Sequence, residues 1–159
     1  MNVASFLENQ KCWYEQVSHQ PTYSAQRMAG QLHVPGHEVA KAVLLRARPQ
    51  RDYIVAVLPA NTVIDLDRAA KLLDAKRLEL ATESEIATFC TDCEFGVLPP
   101  FGSRYGLRTI VDASLAEDDV ILFEGNTHHD AVRMKFDDYC RLENPIVASF
   151  AVSESSEDA

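Results

Sequence analysis

The sequence predicts a single α+β domain with a mixed β-sheet and helices around it. Short apolar runs with strand character alternate with short amphipathic runs of helical period, and few clean β-α-β units separate them. The strands follow one another in a meander-like order. At 159 residues, 47% of them hydrophobic, the chain suits one domain with a sizeable core. We expect this domain to span residues 1–152 and the acidic segment 153–159 to be disordered.

The first half of the chain predicts two helices, a strand and a buried hairpin. Ser24 is a good N-cap for the second helix, whose apolar residues recur at helical spacing. The two hairpin strands are continuously apolar, which is typical of strands buried on both faces. The predicted ranges are a helix at 5–11, a strand at 13–18, a helix at 24–32, a turn at 36–40, and strands at 42–45 and 53–58.

Three helices are predicted in the second half from their capping residues. Asp65 or Asp67 caps a helix that runs to residue 73. Thr82 and Glu85 have the spacing of a capping box, which places another helix after Thr82. Asp137 caps the last short helix.

The strands of the second half are short, and one segment has two possible interpretations. Residues 132–136 could be helical or extended, but apolar residues alternate with basic ones, and this pattern favours a strand. Gly125 and Asn126 then become the turn region of a β-hairpin. The other predicted strands are 107–111, 120–123 and an edge strand within 145–152.

Composition excludes several function classes. The net charge of −9 argues against a general nucleic-acid-binding protein, because contacts to phosphates supply most of such affinity. Basic residues are nevertheless grouped, for example around Lys41, and such a local rim could hold a short single-stranded end. No apolar run is long enough to cross a bilayer, and the first ten residues lack the pattern of a signal peptide. We expect a cytoplasmic protein that binds neither DNA nor membranes.

The four cysteines include one pair with chemically suggestive spacing. Cys90 and Cys93 are spaced as in a redox motif or half of a zinc site. A zinc site needs two further ligands, and no second Cys/His pair has suitable spacing. A thioredoxin-type pair opens a helix, whereas this pair follows one. We therefore interpret these two residues, with Cys12 and Cys140, as reduced thiols, and a redox or zinc protein is a rival interpretation.

Residues 96–102, Gly-Val-Leu-Pro-Pro-Phe-Gly, form the most informative segment of the chain. Proline fixes φ and removes an N–H donor, and glycine opens backbone angles that other residues avoid. The segment therefore predicts a rigid loop whose neighbouring backbone amides point at a ligand. A tight surface turn is the alternative.

Lys41 and the histidines are the candidate polar residues. Lys41 precedes an apolar strand, so its side chain either reaches water or points into a cleft at the strand end. His128 and His129 are adjacent and point in different directions, so they are not expected to share a metal. One of them could be a general base, or both could lie at a solvated hairpin tip. His19, at a strand end, could line the same cleft.

The order and spacing of these features resemble the YbaK/prolyl-tRNA editing-domain family. The matching pieces are Val39-Ala40-Lys41-Ala42-Val43, the Gly-x-x-x-Pro loop at 96–100, Val111-Asp112, and Gly125. The resemblance implies a curved mixed β-sheet surrounded by helices. It also implies an aminoacyl-tRNA deacylase, which hydrolyses the ester bond of mischarged tRNA.

The resemblance also implies roles for individual residues. Lys41 would hold the 3′-terminal adenosine or the ester, and amides of the 96–102 loop would stabilise the oxyanion. Asp112 would cap a turn with its carboxylate. The residues expected to act in catalysis are Lys41, Gly96, Pro100 and Gly102, and those expected to contact substrate are Val97, Leu98, Phe101, Gly125, His128 and His19.

We therefore expect a stand-alone trans-editing hydrolase that needs no metal or organic cofactor. Motifs for a serine nucleophile, a P-loop, a dinucleotide or a zinc protease are absent from the sequence. In the family, water or a group on the substrate performs the attack. The aminoacyl-tRNA acceptor end is the expected partner, and a synthetase could supply further tRNA affinity. The alternative is a non-catalytic module that binds an aminoacyl end or a synthetase.

Overall fold

The structure is a computed structural model that describes residues 1–49 and 51–154. Its helices are α1 (Val3–Asn9), α2 (Ala25–Gln31), α3 (Leu66–Leu72), α4 (Glu83–Phe89) and α5 (Phe136–Glu143). Its strands are β1 (Tyr14–Ser18), β2 (Ala40–Arg48), β3 (Asp52–Pro59), β4 (Thr62–Ile64), β5 (Arg77–Leu80), β6 (Arg108–Asp112), β7 (Val120–Glu124), β8 (Asp130–Lys135), β9 (Ile146–Ala148) and β10 (Ala151–Ser153). None of the helices in the described ranges is long and apolar enough to cross a bilayer.

The largest sheet has the strand order β5-β2-β3-β6-β9. Strand β2 is antiparallel to β3 and β5, whereas β6 is parallel to both β3 and β9. The predicted α+β class with a mixed sheet is confirmed, but the meander-like order is wrong for β6 and β9. The long connection from β3 to β6, which contains α3 and α4, allows a parallel pairing that a tight turn could not make.

A second sheet has the order β1-β8-β7 and contains the predicted hairpin. Strands β7 and β8 are antiparallel, and the Gly125 N–H donates to the Asp130 carbonyl over 3.0 Å. A single β-bridge pairs Val39 with Leu122 and so brings β7 beside the start of β2. This junction of the two sheets positions the candidate site.

Several of the predicted helix caps are confirmed. The side chains of Ser24, Asp65 and Thr82 accept hydrogen bonds from first-turn amides of α2, α3 and α4. The capping box of Thr82 with Glu85 is complete, because each side chain binds the other residue's backbone N–H.

The predicted cap of the last helix is wrong by two residues. Helix α5 begins at Phe136, and Lys135 rather than Asp137 is the N-cap residue. Phe136 is buried, and its N–H donates to the Asp119 carbonyl over 2.9 Å, so tertiary packing begins the helix earlier. Asp137 lies in the first turn, where its negative charge interacts favourably with the positive end of the helix dipole.

Hydrophobic side chains cover both faces of the five-stranded sheet. Along β3, Val55 and Val57 belong to one buried cluster, while Ile54 and Ala56 belong to another on the opposite face. This arrangement confirms that the centre of the β2–β3 hairpin is buried on both sides. Burial on both faces explains why the sequence shows a continuous apolar run rather than alternation.

The C-terminal segment contains two strands where one was predicted. Strand β9 lies at the edge of the large sheet beside β6, and β10 pairs with β4. Ser153, the first residue of the predicted acidic tail, is the last residue of β10. The tail residues 155–159 lie outside the described residues. Strands β4 and β5, of three and four residues, were not predicted because so short a run has little pattern.

Candidate active site

A cavity of about 440 Å³ opens where the two sheets meet. The start of β2 forms part of the wall, and the end of β7 with the turn that follows it forms the part beside it. The loop at residues 96–102, called the Gly96 loop below, the start of α2, Ala60 and Glu154 complete the lining. Of the residues predicted from the sequence, five line this cavity: Lys41, Gly96, Leu98, Pro100 and His128.

Lys41 is half-buried in the cavity wall as the second residue of β2. Its Nζ donates to the Thr62 carbonyl over 2.5 Å. Burial lowers the pKa of the ammonium, and the nearby charge of Glu154 acts in the opposite direction. The structure thus places the side chain in the cleft rather than in open water, with N–H donors left for a ligand.

The Gly96 loop uses three of its amides within the fold. The Val97 N–H donates to the Glu94 carbonyl over 3.0 Å, and the Phe101 N–H donates to the Pro99 carbonyl over 2.8 Å. The Gly102 N–H is also engaged, as described below. The amides of Gly96 and Leu98, both cavity-lining residues, have no acceptor among residues 1–49 and 51–154. These two amides are the donors that remain for a ligand.

Gly96 requires glycine for backbone reasons. Its φ is +89°, in the region that L side chains rarely adopt, and an added Cβ would meet the Glu83 carboxylate at 3.5 Å. A side chain here would strain the loop and lie close to α4. The loop is also held by Tyr139, whose hydroxyl donates to the Pro100 carbonyl over 2.6 Å inside the core.

Gly102 has a structural role rather than a place in the cavity wall. Its N–H donates to the Thr109 hydroxyl oxygen over 3.1 Å, and a Cβ at this position would lie only 2.5 Å from that oxygen. Glu143 accepts from the Thr109 hydroxyl at 2.5 Å and from the Ser103 N–H at 2.9 Å. This buried network fixes the end of the loop and explains the close approach that only glycine permits.

The two adjacent histidines occupy different environments. The His128 side chain is only 13% exposed, its ring packs on Tyr23, and its Nε2 lies 2.8 Å from the Phe95 carbonyl. His129 is half-exposed and faces Glu94. The solvated-tip interpretation therefore describes His129, whereas His128 belongs to the cavity wall.

Glu124 is a cavity residue that the sequence analysis missed. It is the last residue of β7, and its carboxylate lies 3.8 Å from Nδ1 of His128. Burial raises the pKa of this carboxyl to about 7; the charge of Glu94 acts in the same direction, and His128 opposes it. The available signal was an acidic residue that ends an apolar strand immediately before Gly125.

The other predicted site residues do not line the cavity. Val97 and Phe101 are buried in the protein, and Phe101 packs edge-on against Phe123 and Tyr139. The Gly125 N–H closes the hairpin, and the His19 N–H donates to the His129 carbonyl over 2.8 Å. These residues support the walls of the cavity from behind.

Asp112 has the capping role predicted for it. Its carboxylate accepts from the Ser114 N–H over 3.1 Å and from the N–H groups of Phe150 and Ala151, both over 2.9 Å. Burial raises the pKa of this carboxyl. The hydrogen bonds lower the pKa by more than burial raises it, so the net shift is downward. The carboxylate ties the end of β6 to the C-terminal strands.

The four cysteines are free thiols. Cys93 accepts from the Asn126 side-chain amide over 3.3 Å, and hydrogen bonding from Cys90 and then Asn126 lowers its pKa to about 7. In the described part of the chain, the side chains close enough to share a metal ion are His37, Glu38 and Asp118, and this group contains no cysteine. None of those three residues lines the cavity.

Comparison with known proteins identifies the family to which this chain belongs. Residues 19–142 match the family described as "Aminoacyl-tRNA editing domain". The chain is 30% identical over 114 residues to the Multifunctional Ser/Thr-tRNA deacylase ProXp-y of Escherichia coli strain K12, covering 70% of this chain and 68% of that protein. The same identity and coverage relate it to the protein of that name from Escherichia coli O157:H7.

Solved structures share the fold. A protein proposed to be a trans-editing enzyme for prolyl tRNA synthetase superposes with a TM-score of 0.81 at 19% identity, covering 95% of each chain. A hypothetical protein superposes with a TM-score of 0.84 at 15% identity, covering 94% of this chain and 99% of the other. The family resemblance inferred from Lys41 and the Gly96 loop is confirmed: this chain belongs to the aminoacyl-tRNA editing-domain family.

Proposed function

We propose that this protein is a hydrolase that cleaves the ester bond of mischarged aminoacyl-tRNA and releases the amino acid. The observation that carries this proposal is one cavity that combines a half-buried lysine with two backbone amides free to bind an oxygen. The membership of the chain in the aminoacyl-tRNA editing-domain family and the name of the E. coli deacylase support the same reaction. The expected cytoplasmic location stays a prediction.

In this proposal, Lys41 binds the acceptor end of the tRNA. Its ammonium is desolvated and retains donors beyond the one used on the Thr62 carbonyl, so it can contact a phosphate, a ribose hydroxyl or the ester. An ammonium in a partly dry cavity interacts more strongly with these oxygens than it would in water.

The amides of Gly96 and Leu98 act as the oxyanion site. When water or a ribose hydroxyl attacks the ester carbonyl, negative charge develops on the carbonyl oxygen, and preorganised N–H groups stabilise it. Both residues line the cavity, and the loop around them is anchored by Tyr139. Catalysis then rests on position and electrostatics, with no covalent nucleophile from the protein.

The protein's acidity bears on how it binds tRNA. A net charge of −9 opposes extensive contact with the phosphate backbone, so the interaction is confined to the acceptor end. A synthetase that holds the rest of the tRNA is a partner consistent with this limit. The name of the E. coli relative makes serine and threonine the first amino acids to test.

The test is a deacylation time course on tRNAs charged with serine, threonine, alanine or cysteine. Wild type is compared with Lys41→Ala and with a matched control, Lys71→Ala, which removes an exposed lysine from α3. We expect release from at least one species, lost in Lys41→Ala and unchanged in Lys71→Ala. Binding without release from any species would instead support the non-catalytic module.

A further inference from the structure

We infer that Glu124 binds the free α-ammonium group of the aminoacyl ester, so that the cavity accepts aminoacyl esters and rejects esters with a blocked amino group. This inference rests on the proposed function and deepens it, because it defines the class of ester that the site takes. It concerns the wall of the cavity formed by the end of β7 and the following turn.

The first argument is the position of the carboxylate. The Glu124 side chain is 19% exposed and lines the same cavity as Lys41 and the free amides of the Gly96 loop. Among the described residues, the partner of its carboxylate is the ring of His128, at a distance too long for a strong hydrogen bond. Its nearest charged partner is His128, whose Nδ1 is buried, 3.8 Å away and itself without a hydrogen-bond partner among the described residues. The Glu124 carboxylate therefore has only this long contact, and it lines a cavity that can admit a cation.

The second argument is charge. A largely buried carboxylate whose one partner is a long contact to His128 is costly to ionise, and a cation brought into contact lowers that cost. Lys41 does not fill this role, because its Nζ binds the Thr62 carbonyl and the carboxylate that acts on its charge is Glu154. Burial holds the pKa of Glu124 near 7, and an incoming cation would favour its ionised form.

The third argument is complementarity with the substrate. The end of an aminoacyl-tRNA carries a compact ammonium on the amino acid and anionic phosphates on the nucleic acid. The cavity is lined by the Lys41 ammonium and by two carboxylates, Glu124 and Glu154. Glu154 already accepts from the Gln26 side-chain amide and acts on the charge of Lys41, so Glu124 is the carboxylate left for the substrate ammonium. An N-acylated amino acid has no ammonium and would leave the Glu124 carboxylate unpaired, which is how a buried polar group rejects an analogue.

A different role for Glu124 makes a different prediction. If the carboxylate removed a proton from the attacking water, its loss would slow hydrolysis of free and N-blocked esters alike. If it binds the ammonium, its loss slows only the free esters. The two roles are separated by comparing both substrates in one variant.

The experiment measures kcat/KM for the best aminoacyl-tRNA substrate and for its N-acetyl derivative, in wild type and in Glu124→Gln. We expect wild type to prefer the free ester by about 10- to 100-fold, the usual effect of a hydrogen bond to a charged group. Glu124→Gln should lower kcat/KM for the free ester by that factor and leave the N-acetyl ester unchanged. Glu117→Gln, which removes an exposed carboxylate, is the matched control and should keep the preference.

Equal loss on both esters, or a preference that survives in Glu124→Gln, would overturn the inference. A binding measurement keeps it testable if no ester is hydrolysed. An amide-linked seryl-adenosine analogue should bind wild type about 10-fold more tightly than its N-acetyl form, and Glu124→Gln should bind the two equally. Failure of hydrolysis with this difference intact would count against the proposed function alone, whereas equal binding to wild type would count against Glu124.

Discussion

The Gly96 loop and the turn after β7 form two walls of one cavity but are built differently. The loop presents backbone amides, and its shape is held by two prolines, a positive φ at Gly96 and a buried hydroxyl from Tyr139. The end of β7 and the turn after it present polar side chains, Glu124 and His128. A wall of backbone dipoles suits a fixed task such as stabilising an oxyanion, whereas a wall of titratable groups suits recognition of a charged substrate.

The largest effect is expected from a side chain added to the Gly96 loop. Gly96→Ala should lower kcat/KM by about 10²- to 10³-fold, because the strained loop moves the amide that we propose as an oxyanion donor. Gly106→Ala is the matched control: its φ is +75°, but no atom lies within 4 Å of its added Cβ, and it does not line the cavity. Thermal melting should show a similar loss of stability in both. Equal loss of activity in both would contradict the role of the loop.

The support behind the loop should matter for stability rather than for recognition. Glu143→Ala leaves the buried Thr109 hydroxyl without its acceptor and removes the acceptor of the Ser103 hydroxyl and N–H at the edge of the same site. We expect the free energy of unfolding to fall by about 2–4 kcal/mol. Denaturant unfolding measures this change, with exposed Glu117→Ala as control. A loss below about 1 kcal/mol, close to that of a substitution at an exposed position, would show that water replaces the Glu143 carboxylate.

The stability of the protein should depend on pH through Glu124. The Glu124 pKa is raised from 4.5 to about 7, so between these values the folded state holds more protons than the unfolded state. Stability should therefore fall as pH rises from 4.5 to 7, by about 1–3 kcal/mol from this group. In Glu124→Gln this contribution disappears, and the difference between the two unfolding curves isolates it. A constant difference across this pH range would contradict the raised pKa.

The smallest expected effects come from replacing each of the two histidines of the turn separately. His128→Ala should lower kcat/KM by about 5- to 10-fold, because it removes a ring that packs on Tyr23, hydrogen-bonds the Phe95 carbonyl and lies beside Glu124. His129→Ala should change it less than 2-fold, since that side chain is half-exposed and does not line the cavity. Steady-state kinetics of both variants on the same substrate measures the two changes in kcat/KM. Equal effects would mean that the turn acts only as a scaffold.

The sequence predicts the Gly96 loop better than the turn for a physical reason. Proline and glycine report local backbone geometry directly, so the rigid loop is visible from seven residues. The amides it leaves free are not visible, because the Gly102 N–H is taken by the Thr109 side chain of β6, an acceptor that only the packing of the loop supplies. Glu124 was missed because its raised pKa depends on burial between elements distant in the chain.

By itself, the sequence determined the α+β class, most capped helices, the β2–β3 and β7–β8 hairpins, and the family. These features depend on periodicity, capping and turn residues, which act over a few positions. Only the tertiary structure decided the parallel pairing of β6, the place of Ser153 in a strand, and the division of the predicted site residues between cavity and core. Those outcomes depend on contacts between distant segments, where burial and charge are set by what packs alongside rather than by neighbours in sequence.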